Sequence, residues 1–325
     1  VKIDSILKAL QEQQRDEKRQ GEFMDLPNET LIEIAKKLTS TKDISNLAQT
    51  NKRAQGLFKP ALDSIAVNML LEHVVHGEQD EAEKLIKKRP DLLTLRGDIT
   101  DYSGRTFKNI TPFEYALWAL DRHMWEIMLK ALPDNKNGYE IKQQLFQQYK
   151  VHMRSEGVHY LFEGKSYQEK HYDFALKDKL HEYLTFTFLN HQELTNHWIK
   201  EVGGAQRMVP CYIAKEYGRS DRSFDPTPQF KEEQLPKNLY FYNQARGKPE
   251  AWFSLSSSRL GFNFGIFRGD WDKAYGVQYV DRGSATLDWQ ALSALCKKNT
   301  LEFNELGQRL KSELEQASQK RPPAI

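Results

Sequence analysis

Met24-Asp25-Leu26-Pro27-Asn28-Glu29-Thr30-Leu31-Ile32-Glu33-Ile34-Ala35-Lys36-Lys37-Leu38 reads as a short amphipathic helix with a marked start. Pro27 suits that start, because its missing N–H would find no partner there anyway. Leu31, Ile34, Ala35 and Leu38 then fall on one face. Thr39-Ser40-Thr41 breaks the pattern, and Asp43 is placed to cap a second helix carrying Ile44, Leu47 and Ala48. A third piece holds Ala54, Leu57 and Phe58, and Pro60 is expected to end it. Three short helices in about forty residues are too little chain to bury a core alone. Apolar surface left over is expected to seek a partner.

These residues resemble the F-box family. Its members open with Leu-Pro-x-Glu, continue with an aliphatic helix, and carry an Asp-Leu-x-x-Leu type second helix before a Cys-Arg or Asn-Lys-like stretch. This chain has Leu26-Pro27-Asn28-Glu29, then Leu31, Ile34 and Leu38, then Asp43-Ile44, Leu47 and Asn51-Lys52-Arg53. It departs after Arg53, where many members have Trp and this chain has Ala54 and Gln55. The resemblance implies a three-helix motif over residues 24–60 that docks on Skp1 and, through it, on cullin-1. It implies Skp1 contacts from Leu26, Pro27, Glu29, Leu31, Ile34, Leu38, Ile44 and Leu47. The plain alternative is a small helical hairpin that happens to start with Leu-Pro.

Upstream, residues 1–23 form a polar lead-in: Ile3, Ile6, Leu7 and Leu10 have helical spacing, and residues 11–20 are wholly polar. Downstream, Thr111-Pro112-Phe113-Glu114-Tyr115-Ala116 is similar to the Thr-Pro-Leu-His-x-Ala opening of ankyrin repeats, with Glu where the family has His. Setting Leu71, Glu72, Leu85, Ile86 and Lys88 under Phe113, Glu114, Ile127, Met128 and Lys130 gives an earlier unit. The offset exceeds the ~33 residues of an ankyrin repeat, so an insertion is expected, most simply in residues 96–109. Residues 61–135 are thus expected to be ankyrin-like helical hairpins; unrelated hairpins are the alternative.

Residues 136–200 are expected to be helical, with Ile141, Leu145, Phe146 and Tyr149 on one face and Tyr160, Phe162, Tyr167, Tyr172, Phe186, Phe188 and Trp198 packing between helices. Residues 201–316 are read as a loop-rich α+β region, punctuated by Gly and Pro, with short strands around Phe264 and Val277 and a closing helix over 286–316. Residues 317–325 are expected to be a flexible tail. The fold class is mainly α.

The composition is that of a soluble globular chain: 39% hydrophobic, 28% charged and a formal net charge of +2. Nothing in it demands nucleic acid or membrane insertion, and a cytoplasmic setting is expected. Its two cysteines, Cys211 and Cys296, are too few for a disulfide framework. No signal-peptide pattern stands near Val1, which, not being Met, suggests that a few residues are missing ahead of it. His181-Glu182 lacks the second His of a zinc-protease motif, and Gly164-Lys165-Ser166 lacks the leading Gly of a phosphate loop. His73 and His76 lack further ligands around them. No cofactor or catalytic set is expected, although a Cys211 nucleophile with a remote His stays open.

The F-box resemblance implies a substrate-receptor subunit of a cullin–RING ubiquitin ligase, working by proximity. The worn ankyrin pair beside it resembles effectors that intracellular bacterial pathogens deliver into host cells, which implies action in the host cytosol. The unknown target protein is expected on residues 201–316, where Arg and aromatic residues accumulate: Arg219, Arg222, Phe224, Tyr242, Trp252 and Trp271, with Tyr240 and Arg268 nearby. The rival classes are a non-degradative F-box scaffold and an enzyme whose catalytic part lies toward the C-terminus.

Overall fold

Helix α1 (Asn28–Lys37) starts directly after Pro27, and Leu31 N–H donates to the Pro27 carbonyl at 3.1 Å. The computed structural model describes residues 25–37, 46, 48–49, 52–187, 190–219, 221–243, 248–251, 264–267, 274–275 and 282–319. The expected lead-in helix over 1–23 lies outside them, as do the stretch around Val277 and residues 320–325. The chain divides into two compact units, Val1–Ala66 and Val67–Ile325.

In the smaller unit, Leu31, Ala48, Ala54 and Phe58 are buried together, with Leu26, Leu57, Leu62 and Ile65 packed around them. Helix α2 (Lys52–Val75) passes through Pro60, where the sequence predicts a stop. Pro60 removes its own N–H bond and crowds the carbonyl four residues back. That residue is Gly56, and both positions are exposed, so water can serve the freed carbonyl.

The larger unit begins with the end of α2 and α3 (Gln79–Lys88), which buries Ala82 and Ile86. A Pro90-led 3₁₀ turn follows, and then the antiparallel hairpin β1 (Gly97–Thr100) and β2 (Thr106–Ile110). Helix α4 (Pro112–Ala119) has a capping box: Thr111 Oγ1 accepts from Glu114 N–H at 3.0 Å, and the Glu114 carboxylate accepts from Thr111 N–H at 3.2 Å. It stops at Leu120 in the left-handed region (φ 58°), and Asp121 caps α5 (Arg122–Lys130) by accepting from Met124 N–H at 3.0 Å. Helix α5 packs on both α3 and α4.

After α6 (Lys136–Arg154) comes a correction. Residues 158–169 are not helical but form the hairpin β3 (Val158–Phe162) and β4 (Lys165–Glu169). Glu163 and Gly164 both take positive φ, 49° and 76°, as a tight two-residue hairpin turn requires. Gly164, which the sequence sets beside Lys165-Ser166 as in a phosphate loop, is therefore a turn residue. The sheet order is β1-β2-β3-β4. Its inner face sets Phe107 4.7 Å from Trp118 of α4, and Trp118 5.9 Å from Tyr160. Phe107, Trp118 and Tyr160 thus pack between sheet and helix, whereas Tyr167 and Phe186, expected to pack between helices, are exposed. Phe188 lies outside the described residues.

Helices α7 (Ala175–Thr185), α8 (His191–His197), α9 (Gly203–Arg207) and α10 (Cys211–Gly218) follow, with a π-turn between α8 and α9. The region after residue 201 is therefore more helical than its Gly/Pro punctuation suggests. A second antiparallel sheet has the order β6-β5-β7-β8, from β5 (Tyr240–Asn243), β6 (Lys248–Ala251), β7 (Phe264–Phe267) and β8 (Ala274–Tyr275). Helix α11 (Arg282–Gln319) starts earlier and ends later than expected, so residues 317–319 are helix, not tail. It lies along α6 and α7.

Candidate functional site

The segment ahead of α1 is held by Arg53 of α2. Its Nη2 donates to the Leu26 carbonyl at 2.9 Å and to Asn28 Oδ1 at 2.7 Å, and its Nε donates to the same Oδ1 at 3.1 Å. A planar guanidinium with several donors suits such a clamp. It leaves Pro27 and Glu29 exposed, with Leu26 half-buried. Leu31 needs correction as a contact residue: it is 0% exposed and belongs to the interior of the small unit. Leu38, Ile44, Leu47 and the side chain of Ile34 lie outside the described residues.

The expected target surface is largely taken up by internal contacts. Arg222 is not a free recognition group. Its Nη2 donates to Glu216 Oε2 at 2.5 Å and to the Glu216 carbonyl at 2.8 Å, and its Nη1 donates to Glu232 at 3.0 Å. Phe224 is buried, and the mostly covered Arg219 pairs with Asp221 at 2.7 Å. The fully buried Glu216 draws Arg222 inward, whereas the Asp221 that holds Arg219 is itself exposed. Trp252, Trp271, Arg268 and the side chain of Tyr242 lie outside the described residues, while Tyr240 is exposed.

Glu216 of α10 is the centre of this polar network. Besides Arg222 it meets His123 of α5, whose Nε2 is 2.9 Å from Glu216 Oε1 and whose Nδ1 is 3.0 Å from the Glu233 carbonyl. Both ring nitrogens thus face an oxygen. Burial alone would push the Glu216 carboxyl up; the bond to His123 and the charge of Arg222 outweigh it and hold the group below the usual carboxylate range.

Residues 221–239 carry no helix or strand, yet they are fastened along α3 and α5. Gln79 reads both sides of the backbone, donating to the Glu233 carbonyl at 3.1 Å and accepting from Leu235 N–H at 2.8 Å. Arg122 donates to the Glu232 carbonyl at 2.9 Å. Phe230, Leu235 and Leu239 are buried beneath this strap. The sequence does not signal Gln79, Arg122 or His123, because their partners lie 93 or more positions away.

Cys211 is not an activated nucleophile. Its Sγ donates to the His76 carbonyl at 2.9 Å, and burial pushes the thiol far above its ordinary range. Lys215, also buried, donates to the Gly77 carbonyl at 2.9 Å. His73 pairs with Glu78 at 2.6 Å, and His76 stacks on Tyr102. Among the described residues no group of three or more His, Cys, Asp and Glu side chains is arranged to hold a metal, and no helix is long and apolar enough to cross a membrane.

Residues 174–310 match the family described as CBUA0006 C-terminal domain. Over 293 residues the chain is 35% identical to the uncharacterized protein CBUA0006 of Coxiella burnetii (strain RSA 493 / Nine Mile phase I), covering 83% of this chain and 84% of that protein. The chain belongs to the CBUA0006 family. No solved structure matches it. The CBUA0006 C-terminal domain begins at Phe174, which caps α7, and ends at Leu310, within α11. It holds Glu216, Arg222 and the strap, whereas Gln79, Arg122 and His123 precede it. The buried network therefore joins the CBUA0006 C-terminal domain to the helices before it.

Proposed function

We propose that this protein is an adaptor: its smaller unit docks on a Skp1-type subunit of a cullin–RING ubiquitin ligase, and its larger unit holds a target protein. The observation that carries the reading is the Leu26-Pro27-Asn28-Glu29 segment, which heads α1 with Pro27 and Glu29 exposed. Arg53, itself part of the Asn-Lys-Arg stretch of the resemblance, fixes that segment in place. Pre-fixed segments lose less entropy on binding, which favours a docking role. The matching relative belongs to Coxiella burnetii, and the proposal extends to an effector acting in the cytosol of a host cell.

Calorimetry of the full chain with purified Skp1 tests this. Pro27→Glu with Glu29→Lys changes two exposed positions and spares the interior, so the fold is expected to survive. Loss of an apolar contact and a reversed charge should weaken binding by at least about tenfold, or ~1.4 kcal/mol. Equal affinity for the folded variant, or no heat with the wild-type chain, removes the adaptor reading.

A further inference from the structure

A cleft of about 530 Å³ opens between α3, α5, the strap and α11. Its volume lies in the ~300–1,000 Å³ range usual for ligand-binding clefts. Ile127 and Leu306 supply apolar lining, and Arg122 and His123 stand where the strap is fastened. Its charge is uneven: the lining carboxylates are Asp80, Glu83, Glu126, Glu233, Glu302 and Glu305, against Arg122, Lys130 and Arg309.

Two of those three cations are held closely, and the third, Lys130, only loosely. Arg122 Nε is 3.1 Å from Glu302, Arg309 Nη1 is 2.6 Å from Glu126, and Lys130 is 3.8 Å from Glu233. Asp80, Glu83 and Glu305 remain. Among the described residues Asp80 and Glu83 form ion pairs with the exposed lysines Lys237 and Lys87, 84% and 60% exposed. Such surface pairs contribute little and exchange readily with another cation. Glu305 is exposed and pairs with no cation among the described residues. The walls are pre-organised, because Gln79, Arg122 and His123 pin the strap by its backbone. A rigid site of this kind loses little entropy on filling.

We infer that this cleft binds a basic peptide segment of another protein, whose Lys and Arg side chains meet Asp80, Glu83 and Glu305. Identifying that protein with the recruited target rests on the adaptor reading; the charge of the cleft does not.

Fluorescence anisotropy with the full chain tests it, using a labelled short peptide of alternating Lys and Ala at physiological salt. Binding is expected, and Glu83→Lys with Glu305→Lys should weaken it by about tenfold, since each reversal removes one attraction and adds one repulsion. Glu140→Lys with Glu163→Lys makes the same change in net charge at exposed sites away from the cleft, and should have little effect. Equal weakening by both variants would mean general charge attraction and overturn the inference. So would competition by spermidine as effective as that of unlabelled peptide, or no binding to the wild-type chain at millimolar peptide. Skp1 calorimetry on the wild-type chain keeps the two readings apart: peptide binding without Skp1 binding sinks the adaptor alone, and Skp1 binding without peptide binding sinks the cleft alone.

Discussion

Gly307 of α11 lies so close to Tyr149 of α6 that a Cβ at position 307 would sit 2.3 Å from the ring carbon Cε1. Glycine here sets how near the two helices approach, and Tyr149 OH donates to the Phe303 carbonyl at 3.1 Å across the same seam. Gly307→Ala should lower stability by about 1–3 kcal/mol, because overpacking exceeds the ~1 kcal/mol of added helix propensity. Gly204 is the contrast, since a Cβ there would meet nothing within 4 Å. Gly204→Ala should be neutral or stabilising in urea denaturation, and a variant pair that behaves alike would refute the close approach.

Glu216 and Glu232 both pair with Arg222, but Glu216 is 0% exposed and Glu232 39%. Glu216→Gln should cost about 3–5 kcal/mol, since it leaves buried cationic donors uncompensated. Glu232→Gln should cost less than about 1 kcal/mol, as half-exposed pairs do. Equal losses in chemical denaturation would mean that the network is not centred on Glu216.

His152 gives a pH signature. Burial first, and then the charge of Lys170, push its ring down to about 4. The unfolded chain therefore takes up a proton first, and stability present above about pH 6.5 drains as pH falls toward 4, by about 2 kcal/mol at pH 5. His152→Gln should flatten that part of the profile. An unchanged difference between pH 7.5 and pH 5 in parallel melts would show that the ring titrates normally.

Asp121 runs the other way. Burial raises its carboxyl to about 6, against the opposing charge of His123 and the bond from Met124 N–H. The folded chain holds this proton more tightly than the unfolded one, so stability falls as pH climbs from about 4 to about 6 and then stays level. Asp121→Asn retains a good helix cap and cannot ionise. It should gain up to about 3 kcal/mol at pH 7.5 and nothing at pH 4. A gain of the same size at both pH values would trace the effect to packing.

Removing everything after residue 200 should not leave a folded remainder of the larger unit. Leu292, Leu295, Phe303, Leu306 and Leu310 of α11 are buried, and the helix packs on α5, α6 and α7. The truncated chain should show rapid proteolysis of α6 and exposed apolar surface by dye binding. A protease-resistant fragment reaching past Arg154 would contradict this.

Local chemistry is legible where one short stretch contains both partners. Thr111, Pro112 and Glu114 announce a helix start, and the capping box is there. The alternation of Val158, Tyr160 and Phe162 before Glu163-Gly164 is a hairpin signal, but the aromatic density of that stretch reads as helix packing. Arg219, Arg222 and Phe224 mislead because a polar, Pro-flanked stretch reads as surface; Glu216 stands only six positions before Arg222, but its burial depends on packing against distant elements such as α5. His123 is silent for the same reason: its meaning comes from Glu216, 93 positions on. The apolar faces of α1 and α11 are visible, since helical periodicity needs no distant partner.

The strap over residues 221–239 is gripped largely through main-chain oxygens and one main-chain N–H. Every residue type presents those oxygens. Replacing the exposed Lys231 or Gln234 therefore leaves the grip intact, provided that Phe230 and Leu235 keep their apolar bulk. The burden of constancy falls on the holders, Gln79, Arg122 and His123, whose side chains no backbone can replace. The outward side chains of the strap can thus change while the bonds that hold it stay the same.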